Sequence, residues 1–397
     1  TCLQGLVEYD LLEVGDDVVF GSRTNVIICD AVSSKTIRIS AGANVGDRCV
    51  LLPGCTLGKN SLLGSGGLGG RGMILGANSK WVGSQGGAAV MLDAGPGGEP
   101  TVEGNGDEET LRPFGKAMYK GLAPYIVLPG WFHGLFTALC RSIAASWRAL
   151  TLIAAFEITR LWLRGGGTFI SQPVTLWGIA ERITPLFFVA HNAATLLALF
   201  LAWWSKWALI GRRRPGEFDW DKSSYCQRWQ LYLSLTGIIR SAYFGEGVLD
   251  LLHGSVYMVW WFRSLGAQIG REVCLYPRGA DPMMTEPDLV QIGSFACVDS
   301  ASIIAHINSR GSFALNAISV SPGANLRADS RLLSGAAMMP GSTLLEHTLV
   351  LGGDVVDEGA TWQGWPGQAV LPQTPSVTPK MLTPSTSRDR LDALGRL

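Results

Sequence analysis

Aliphatic residues recur at every sixth position in two stretches near opposite ends of the chain, and a small residue follows each of them four places later. The first stretch holds aliphatic Ile39, Val45, Leu51, Leu57 and Leu63, with small Ala43, Cys49, Cys55 and Ser61. The second holds aliphatic Val320, Leu326, Leu332, Met338, Leu344 and Val350, with small Ala324, Ser330, Ala336, Ser342 and Thr348. This spacing is typical of a three-sided coil in which one aliphatic side chain of each short strand faces the interior. The sequence therefore predicts two left-handed parallel β-helix (hexapeptide-repeat) modules, over residues 1–75 and 269–372.

The same step argues against an antiparallel β-sandwich, whose strands alternate apolar and polar residues with a period of two. A loop interrupts the step from Asp30 to Lys35 in the first stretch. In the second, it breaks at Ile303-Ile-Ala-His-Ile-Asn-Ser-Arg-Gly and resumes near Ile318. The second break supplies a place where a substrate can sit.

Between the two modules lies an apolar stretch over residues 122–212, for which we expect a transmembrane hairpin. Leu186 to Leu209 is long enough for the hydrocarbon core of about 30 Å. Trp203 and its neighbours form an aromatic belt, and the Arg212-Arg-Arg run that follows belongs in the cytosol by the positive-inside rule. We expect a multi-pass membrane protein in contact with lipid, with both β-helix modules on the cytosolic side. The alternative is a buried core, because charges such as Glu157 are costly within a span.

The remaining segments are predicted to connect or follow the two modules and the apolar stretch. Residues 76–121 read as a Gly-rich linker. Residues 213–268 predict amphipathic helices, either lying against the bilayer or packed on the second β-helix. Residues 373–397, rich in Pro, Ser and Thr, predict a disordered tail.

Composition narrows the class of protein. Only 16% of the residues are charged, against about 25% in an ordinary soluble domain, which agrees with a part in lipid. The net charge is zero, so the chain has no excess of basic residues that would indicate binding to nucleic acid. The eight cysteines show no CxxC spacing and read as reduced packing residues. Because the five histidines are scattered, we expect no metal site and no bound cofactor.

His306 is the candidate catalytic residue, because it stands where the second coil breaks. A histidine at such a corner can remove the proton from an amine or hydroxyl and make it nucleophilic toward a thioester; a packing or solvated histidine is the alternative. Asn308 and Arg310 share the loop and are candidate substrate-binding residues, although turn chemistry also explains Asn308. His347 occupies the repeat position that Asn60 holds in the first module, so we expect a surface corner residue.

Four segments carry a resemblance to a known family. They are Lys206-Trp-Ala-Leu-Ile-Gly-Arg-Arg-Arg, Trp261-Phe-Arg-Ser-Leu-Gly, His306 itself, and Thr361-Trp-Gln-Gly-Trp-Pro-Gly. In order and spacing they resemble the C-terminal membrane region of poly-lysine-synthetase-type non-ribosomal peptide synthetases, more closely the fungal members. Gln363 and Trp365, in the last segment, are further candidate substrate-binding residues.

The resemblance implies upstream adenylation and carrier domains in a longer chain, followed by tandem acetyltransferase-like β-helix domains interleaved with transmembrane helices. It implies peptide-bond formation, in which the amine of an amino acid attacks a carrier-bound aminoacyl thioester and His306 acts as base. Acidic residues associated with the bacterial members are replaced by Asn308-Ser-Arg-Gly, and Cys29-Asp-Ala stands where the first module's histidine is expected.

Three hypotheses follow. The first is a membrane-bound aminoacyl transfer (condensation) region of a non-ribosomal peptide synthetase-like enzyme, whose donor is a phosphopantetheine thioester on a carrier protein and whose acceptor is an amino acid or small amine. The second is a hexapeptide O- or N-acyltransferase that uses coenzyme A. The third is a non-catalytic, membrane-tethered β-helix scaffold.

Overall fold

The computed structural model describes residues 8–21, 24–84, 87–94, 121–164, 176–241, 249, 252–277, 283–309 and 312–370. Arg310, most of the predicted linker and the predicted tail at 373–397 lie outside these ranges.

The first group of strands forms three parallel sheets around a common core. Its strands are β1 (Leu12–Val14), β2 (Val19–Phe20), β3 (Asn25–Val26), β4 (Ile37–Ile39), β5 (Asn44–Val45), β6 (Val50–Leu51), β7 (Thr56–Leu57), β8 (Leu62–Leu63), β9 (Leu68–Gly69), β10 (Ile74–Leu75), β11 (Lys80–Val82) and β12 (Val90–Asp93). The sheet orders are β1-β4-β7-β10, β2-β5-β8-β11-β12 and β3-β6-β9, and only the β11–β12 pair is antiparallel. Val45 pairs with Leu63, three six-residue repeats later, so three strands make one turn of the coil.

The residues that the six-residue step picks out fill the interior of this first coil. Leu51, Leu57 and Leu63 have no exposed surface, and neither do Cys49 and Cys55 at the small-residue corners. Burial raises the pKa of both thiols to about 12, so they pack as neutral groups. The parallel sheets and this core fit the predicted hexapeptide-repeat fold; the left-handed sense stays a prediction.

The first coil extends further than the sequence suggested. β11 continues the parallel sheet to Val82, and β12 folds back on it as far as Asp93. Both strands lie in the segment that was expected to be a linker from residue 76. The Gly content of the segment hid them, because a coil corner and a flexible linker both favour glycine.

The second group repeats the three-sheet arrangement. Its strands are β14 (Gln268–Ile269), β15 (Cys274–Leu275), β16 (Met283–Met284), β17 (Val290–Ile292), β18 (Cys297–Val298), β19 (Ser302–Ile303), β22 (Ile318–Val320), β23 (Asn325–Leu326), β24 (Arg331–Leu332), β25 (Ala337–Met338), β26 (Thr343–Leu344), β27 (Leu349–Val350), β28 (Val355–Val356), β29 (Thr361–Gln363) and β30 (Gln368–Ala369). The sheet orders are β14-β17-β22-β25-β28, β15-β18-β23-β26-β29-β30 and β16-β19-β24-β27. Leu326, Leu332, Met338 and Leu344 have no exposed surface.

A small antiparallel sheet leaves the second coil at its break. It consists of β20 (His306–Ser309), β21 (Ser312–Leu315) and β13 (Gly216–Asp219), in the order β13-β21-β20. β13 comes from the segment that was expected to hold only amphipathic helices. Its pairing was not visible in the sequence, because it joins residues nearly a hundred positions apart.

Among the described residues, four α-helices lie between the two coils in the chain. They are α1 (Gly130–Arg164), α2 (Leu176–Ser205), α3 (Tyr225–Ser241) and α4 (Val256–Ser264), and a π-helical turn, Lys206–Ile210, continues α2. α1, α2 and α3 pack against one another. Among the described residues, Ile183–Ile210 is the helix long and apolar enough to cross a membrane, and the two halves of α1, bent by 60°, pass the same test together.

The two coils touch each other through Arg331. Its side chain points out of the second coil yet is fully buried, because its guanidinium lies 3.3 Å from Asp47 of the first coil and over the ring of Trp365. The carbonyl oxygen of Trp365 also accepts a hydrogen bond from the Ser84 backbone N–H, at 2.9 Å. A charged residue is buried at this face because it is paired across it.

Candidate functional site

The break in the second coil is a β-hairpin, and His306 is its first residue. His306 pairs with Leu315 at the base of the hairpin, and the coil resumes at β22 directly afterwards. The carbonyl oxygen of Ala305, the last coil residue before the break, accepts hydrogen bonds from the Ser334 hydroxyl and the Asn316 backbone N–H. His306 therefore stands at a fixed corner, at the root of an excursion.

A buried carboxylate holds His306 from behind. Nδ1 of His306 lies 2.9 Å from Oε1 of Glu286. Glu286 is fully buried, and its Oε2 accepts hydrogen bonds from the Thr285 hydroxyl and the Ala305 backbone N–H. Because Nδ1 faces the carboxylate, Nε2 is the ring nitrogen placed to exchange a proton with a substrate.

Two aromatic side chains fix the plane of the His306 ring. Phe313, from the other strand of the hairpin, stacks on it with ring centres 5.1 Å apart and planes 13° apart. Trp229 of α3 meets it edge-on at 5.4 Å. The imidazole is thus wedged between the hairpin and a helix that packs on α1 and α2. The same apolar walls strengthen its interaction with Glu286, because the local dielectric is low.

The Glu286 carboxyl is held in its ionised form. Complete burial by itself would raise its pKa, but His306, Arg213 and the Thr285 hydroxyl outweigh burial and lower the pKa below its ordinary value. Charge and hydrogen bonding therefore win over desolvation at this residue.

Sequence reasoning missed Glu286, although the repeat register contains the signal. Met284 pairs with Ile303, and extending that register by two residues places Glu286 beside Ala305. A carboxylate one coil turn before a histidine at a break is therefore a pattern that can be read from the sequence. Leu275 and Met284, the inward residues of two consecutive strands, lie nine positions apart in the sequence instead of six, which is why the turn was not aligned.

The other predicted site residues lie in different places. Asn308 is on the same strand as His306, and its Oδ1 accepts a hydrogen bond from Nε1 of the fully buried Trp220. Gln363 is exposed at the end of β29, where it pairs with Gln368. Trp365 lies against the first coil. The structure thus brings Asn308 to the His306 hairpin, whereas Trp365 belongs to the contact between the coils.

His347 is the surface corner residue that the repeat predicts. Its φ is +54°, matching the +56° of Asn60, and its side chain is 77% exposed. Within the described residues, no group of three or more His, Cys, Asp or Glu side chains is arranged to hold a metal ion.

No protein-family model matches the chain, and no curated protein matches it. The poly-lysine-synthetase-type resemblance therefore rests on the sequence segments alone. Among solved structures, the chain resembles a hexapeptide-repeat acetyltransferase from Vibrio cholerae, at 12% identity and a TM-score of 0.25, over 29% of this chain and 79% of that one. A further structure of that acetyltransferase is complexed with acetyl coenzyme A.

Two serine acetyltransferases are similar to the same degree. The Brucella abortus structure, in complex with coenzyme A, is 14% identical with a TM-score of 0.23, over 58% of this chain and 95% of that one. The soybean apoenzyme is 15% identical with a TM-score of 0.22, over 61% and 98%. At these scores the likeness assigns no activity, and a function for this chain has to be argued from its own site.

Proposed function

We propose that this chain transfers an acyl group from a phosphopantetheine thioester to an amine or hydroxyl, with His306 as general base and Glu286 as the residue that orients it. The observation that carries the proposal is the 2.9 Å contact between His306 Nδ1 and the buried Glu286 carboxylate. A histidine backed by a carboxylate is the arrangement that activates a nucleophile in acyl transfer on several unrelated folds.

The reaction follows from the geometry of the pair. Glu286 accepts the Nδ1–H hydrogen bond, which selects the tautomer with an unprotonated Nε2. His306 Nε2 then removes the proton of the acceptor as its nitrogen or oxygen bonds to the thioester carbonyl carbon. When the carbon–sulfur bond breaks, the imidazolium returns the proton to the leaving thiolate. The products are an amide or ester and a free thiol, and Glu286 stabilises the transient imidazolium.

Two sources of the thioester share this chemistry. Coenzyme A and a carrier protein both present the acyl group on a phosphopantetheine arm. We place coenzyme A first, which makes the chain a coenzyme A-dependent acyltransferase. The carrier-bound aminoacyl thioester, with upstream adenylation and carrier domains and an amino acid as acceptor, is the alternative that the sequence segments favour.

We also propose that α1 and α2 lie in a membrane and that both coils are cytosolic. Large apolar side chains along both helices are exposed, in agreement with contact to lipid; they include Leu135, Leu139, Phe156, Leu161, Phe188, Leu196 and Phe200. The Arg212-Arg-Arg run follows the apolar helix directly, and the positive-inside rule places it on the cytosolic side.

The test is a transfer assay on the full chain purified in detergent or nanodiscs. Acetyl coenzyme A is offered with L-serine as the hydroxyl acceptor and L-lysine as the amine acceptor; thiol release and product mass are measured. His306→Ala is expected to lower the rate roughly 10²–10⁴-fold, the usual contribution of a general base. Glu286→Gln should lower it by a smaller factor, because it leaves the base in place.

The matched control is His347→Ala, which removes a histidine from the exposed surface of the same coil and should leave the rate unchanged. A parallel reaction offers lysine as a carrier-bound thioester. Transfer from the carrier alone would favour the synthetase-like alternative. A rate that is unaffected by His306→Ala with both donors would leave the scaffold hypothesis standing and contradict the catalytic one.

A further inference from the structure

A cluster of buried charges lies beside the His306–Glu286 pair. Lys206 Nζ is 3.2 Å from Asp288 Oδ2, and Arg213 Nη1 is 3.0 Å from Asp288 Oδ1. None of these three side chains has any exposed surface. Burying charges is unfavourable unless they are well paired, so a buried cluster of three ions needs an explanation.

The cluster reaches Glu286 through Asp288 and Arg213. Asp288 lies two residues after Glu286, in the 3₁₀ turn Pro287–Leu289. The Arg213 backbone N–H donates to Asp288 Oδ2 at 2.5 Å, so Asp288 binds both the backbone and the guanidinium of Arg213. The turn that carries Glu286 is therefore clamped to the segment that follows α2.

Charge balance ties the cluster to the pair. Lys206 and Arg213 bring two positive charges, whereas Asp288 supplies one negative charge. The ionised Glu286 is the second carboxylate that balances them. Removing a charge from this set therefore changes the potential felt by Glu286 and, through their contact, by His306.

A neutral phenol also contacts the cluster. Tyr225 of α3 accepts a hydrogen bond from Arg213 Nε at 3.0 Å, and burial raises the pKa of its phenol to about 12. Tyr232, also on α3, lies with its ring 5.7 Å from the Arg213 guanidinium. On the His306 side, the packed groups are the uncharged Trp229 and Phe313. Among the described residues, the buried ions of the cluster beside the pair are thus Lys206, Arg213 and Asp288, and Arg212 adds a positive charge near Lys206.

We propose that Arg213, Asp288 and Lys206 are positioning residues that hold Glu286 in place as an anion and thereby set how readily His306 gives up its proton. Lys206 begins the π-helical turn at the end of α2. The end of the apolar helix is therefore part of the support of the catalytic pair. This inference rests on the proposed role of His306, but it can be tested without any substrate.

The probe is diethyl pyrocarbonate, which modifies the neutral form of an imidazole. The full chain in detergent is treated over a range of pH, and modification of His306 is followed by peptide mass spectrometry, with the exposed His347 as an internal reference. Arg213→Met removes a positive charge, so His306 should hold its proton more tightly and the midpoint of its modification should rise by about one pH unit. Asp288→Asn removes a negative charge, and the midpoint should fall.

Opposite shifts from two variants are not expected of a purely structural cluster. Lys206→Met should raise the midpoint less than Arg213→Met, because Lys206 reaches the pair only through Asp288, and Arg213→Lys should restore part of the wild-type value. The control is Arg327→Met, which breaks the half-exposed Arg327–Glu346 ion pair of the same coil and should leave the midpoint unchanged. If Arg213→Met is not recovered folded, Asp288→Asn and Arg213→Lys decide the question.

Midpoints that stay within error of wild type in the folded variants would overturn the inference. Its failure is distinguishable from that of the proposed function. A His306→Ala enzyme that keeps its transfer rate removes the catalytic role but not the shifts in modification. Unshifted midpoints in a chain whose activity depends on His306 remove only the positioning role.

Discussion

Two histidines of the second coil, His347 and His306, differ in exposure and in the groups that they contact. His347 takes a left-handed corner conformation and is largely exposed, with its Nδ1 3.9 Å from a carboxylate oxygen of Asp329, which is also exposed. His306 stands at a corner where the chain leaves the coil, and its side chain is only 19% exposed. The buried carboxylate of Glu286 and the ring of Phe313 give the imidazole of His306 a fixed orientation. A general base requires such an orientation.

The ionised state of Glu286 predicts how stability changes in acid. Its pKa in the folded chain is lower than its ordinary value of 4.5. The carboxylate therefore adds stability that is fully present above pH 4.5 and is lost as the pH falls through the folded pKa. Glu286→Gln has no such proton to bind, so its unfolding temperature should be lower than wild type at neutral pH and the gap should narrow below pH 4.5.

Thermal unfolding of the two proteins across this pH range checks the expectation. Glu346→Gln, a change at the half-exposed carboxylate of a surface ion pair, is the control and should follow the wild-type curve. A gap between Glu286→Gln and wild type that stays constant with pH would contradict it.

At the residue scale, the sequence revealed the histidine but not its partner. His306 could be singled out because it interrupts a regular step. Glu286 was missed, because the six-residue step that would align it with Ala305 is interrupted just before Met284. The charge of Arg213, which acts on Glu286, comes from a distant segment. Arg310 falls outside the described residues, so its suggested role stays a prediction.

At the scale of elements, the six-residue step predicts the coil strands well because each strand obeys one local constraint. The inward position must be aliphatic and the corner must be small or tolerate a positive φ, as at Gly54 and Asn60. The six-residue step does not predict the hairpin or its pairing with β13. Its strands are antiparallel and its cover comes from Trp220 and Tyr225, whose rings pack on Phe313.

The inward positions of the coil should dominate its stability. Leu326→Ala removes a side chain with no exposed surface and should cost about 2–5 kcal/mol. Val355→Ala changes an outward position of the same coil that is 44% exposed, and its cost should be much smaller. Amide hydrogen exchange of the second coil measures both, and equal losses of protection would contradict the inward assignment of Leu326.

At the scale of the whole molecule, the two coils differ in what they contribute. The five histidines all lie after Gly121, at 133, 191, 253, 306 and 347, so residues 1–121 carry none. The first coil instead presents Asp47 to Arg331 and a backbone N–H to Trp365. The repeat predicted two similar coils, but their contact could not be foreseen, because outward residues of a coil follow no period.

A pair of glycines tests this contact. Gly66 has φ +71°, and a Cβ there would overlap the Trp365 ring; Gly72 has φ +64° and open space around it. Substitution by Ala strains the backbone at both sites and should cost about 1–3 kcal/mol at each. Only Gly66→Ala should also push the coils apart. Exchange of the Ser84 backbone N–H, which donates to Trp365, should then rise in Gly66→Ala and not in Gly72→Ala. Equal exchange in both would mean that the coils do not depend on this face.

The pairing of β13 with the hairpin determines where the chain can be divided. The second coil begins at Gln268, yet the strand that flanks its hairpin begins at Gly216, and the cations beside Glu286 begin at Lys206. A fragment starting at 268 would leave an unpaired edge strand, which invites association between copies, and would strip the cover from Phe313. The shortest piece that preserves the site therefore includes the end of the apolar helix, so this helix and the His306–Glu286 pair have to be expressed and purified together.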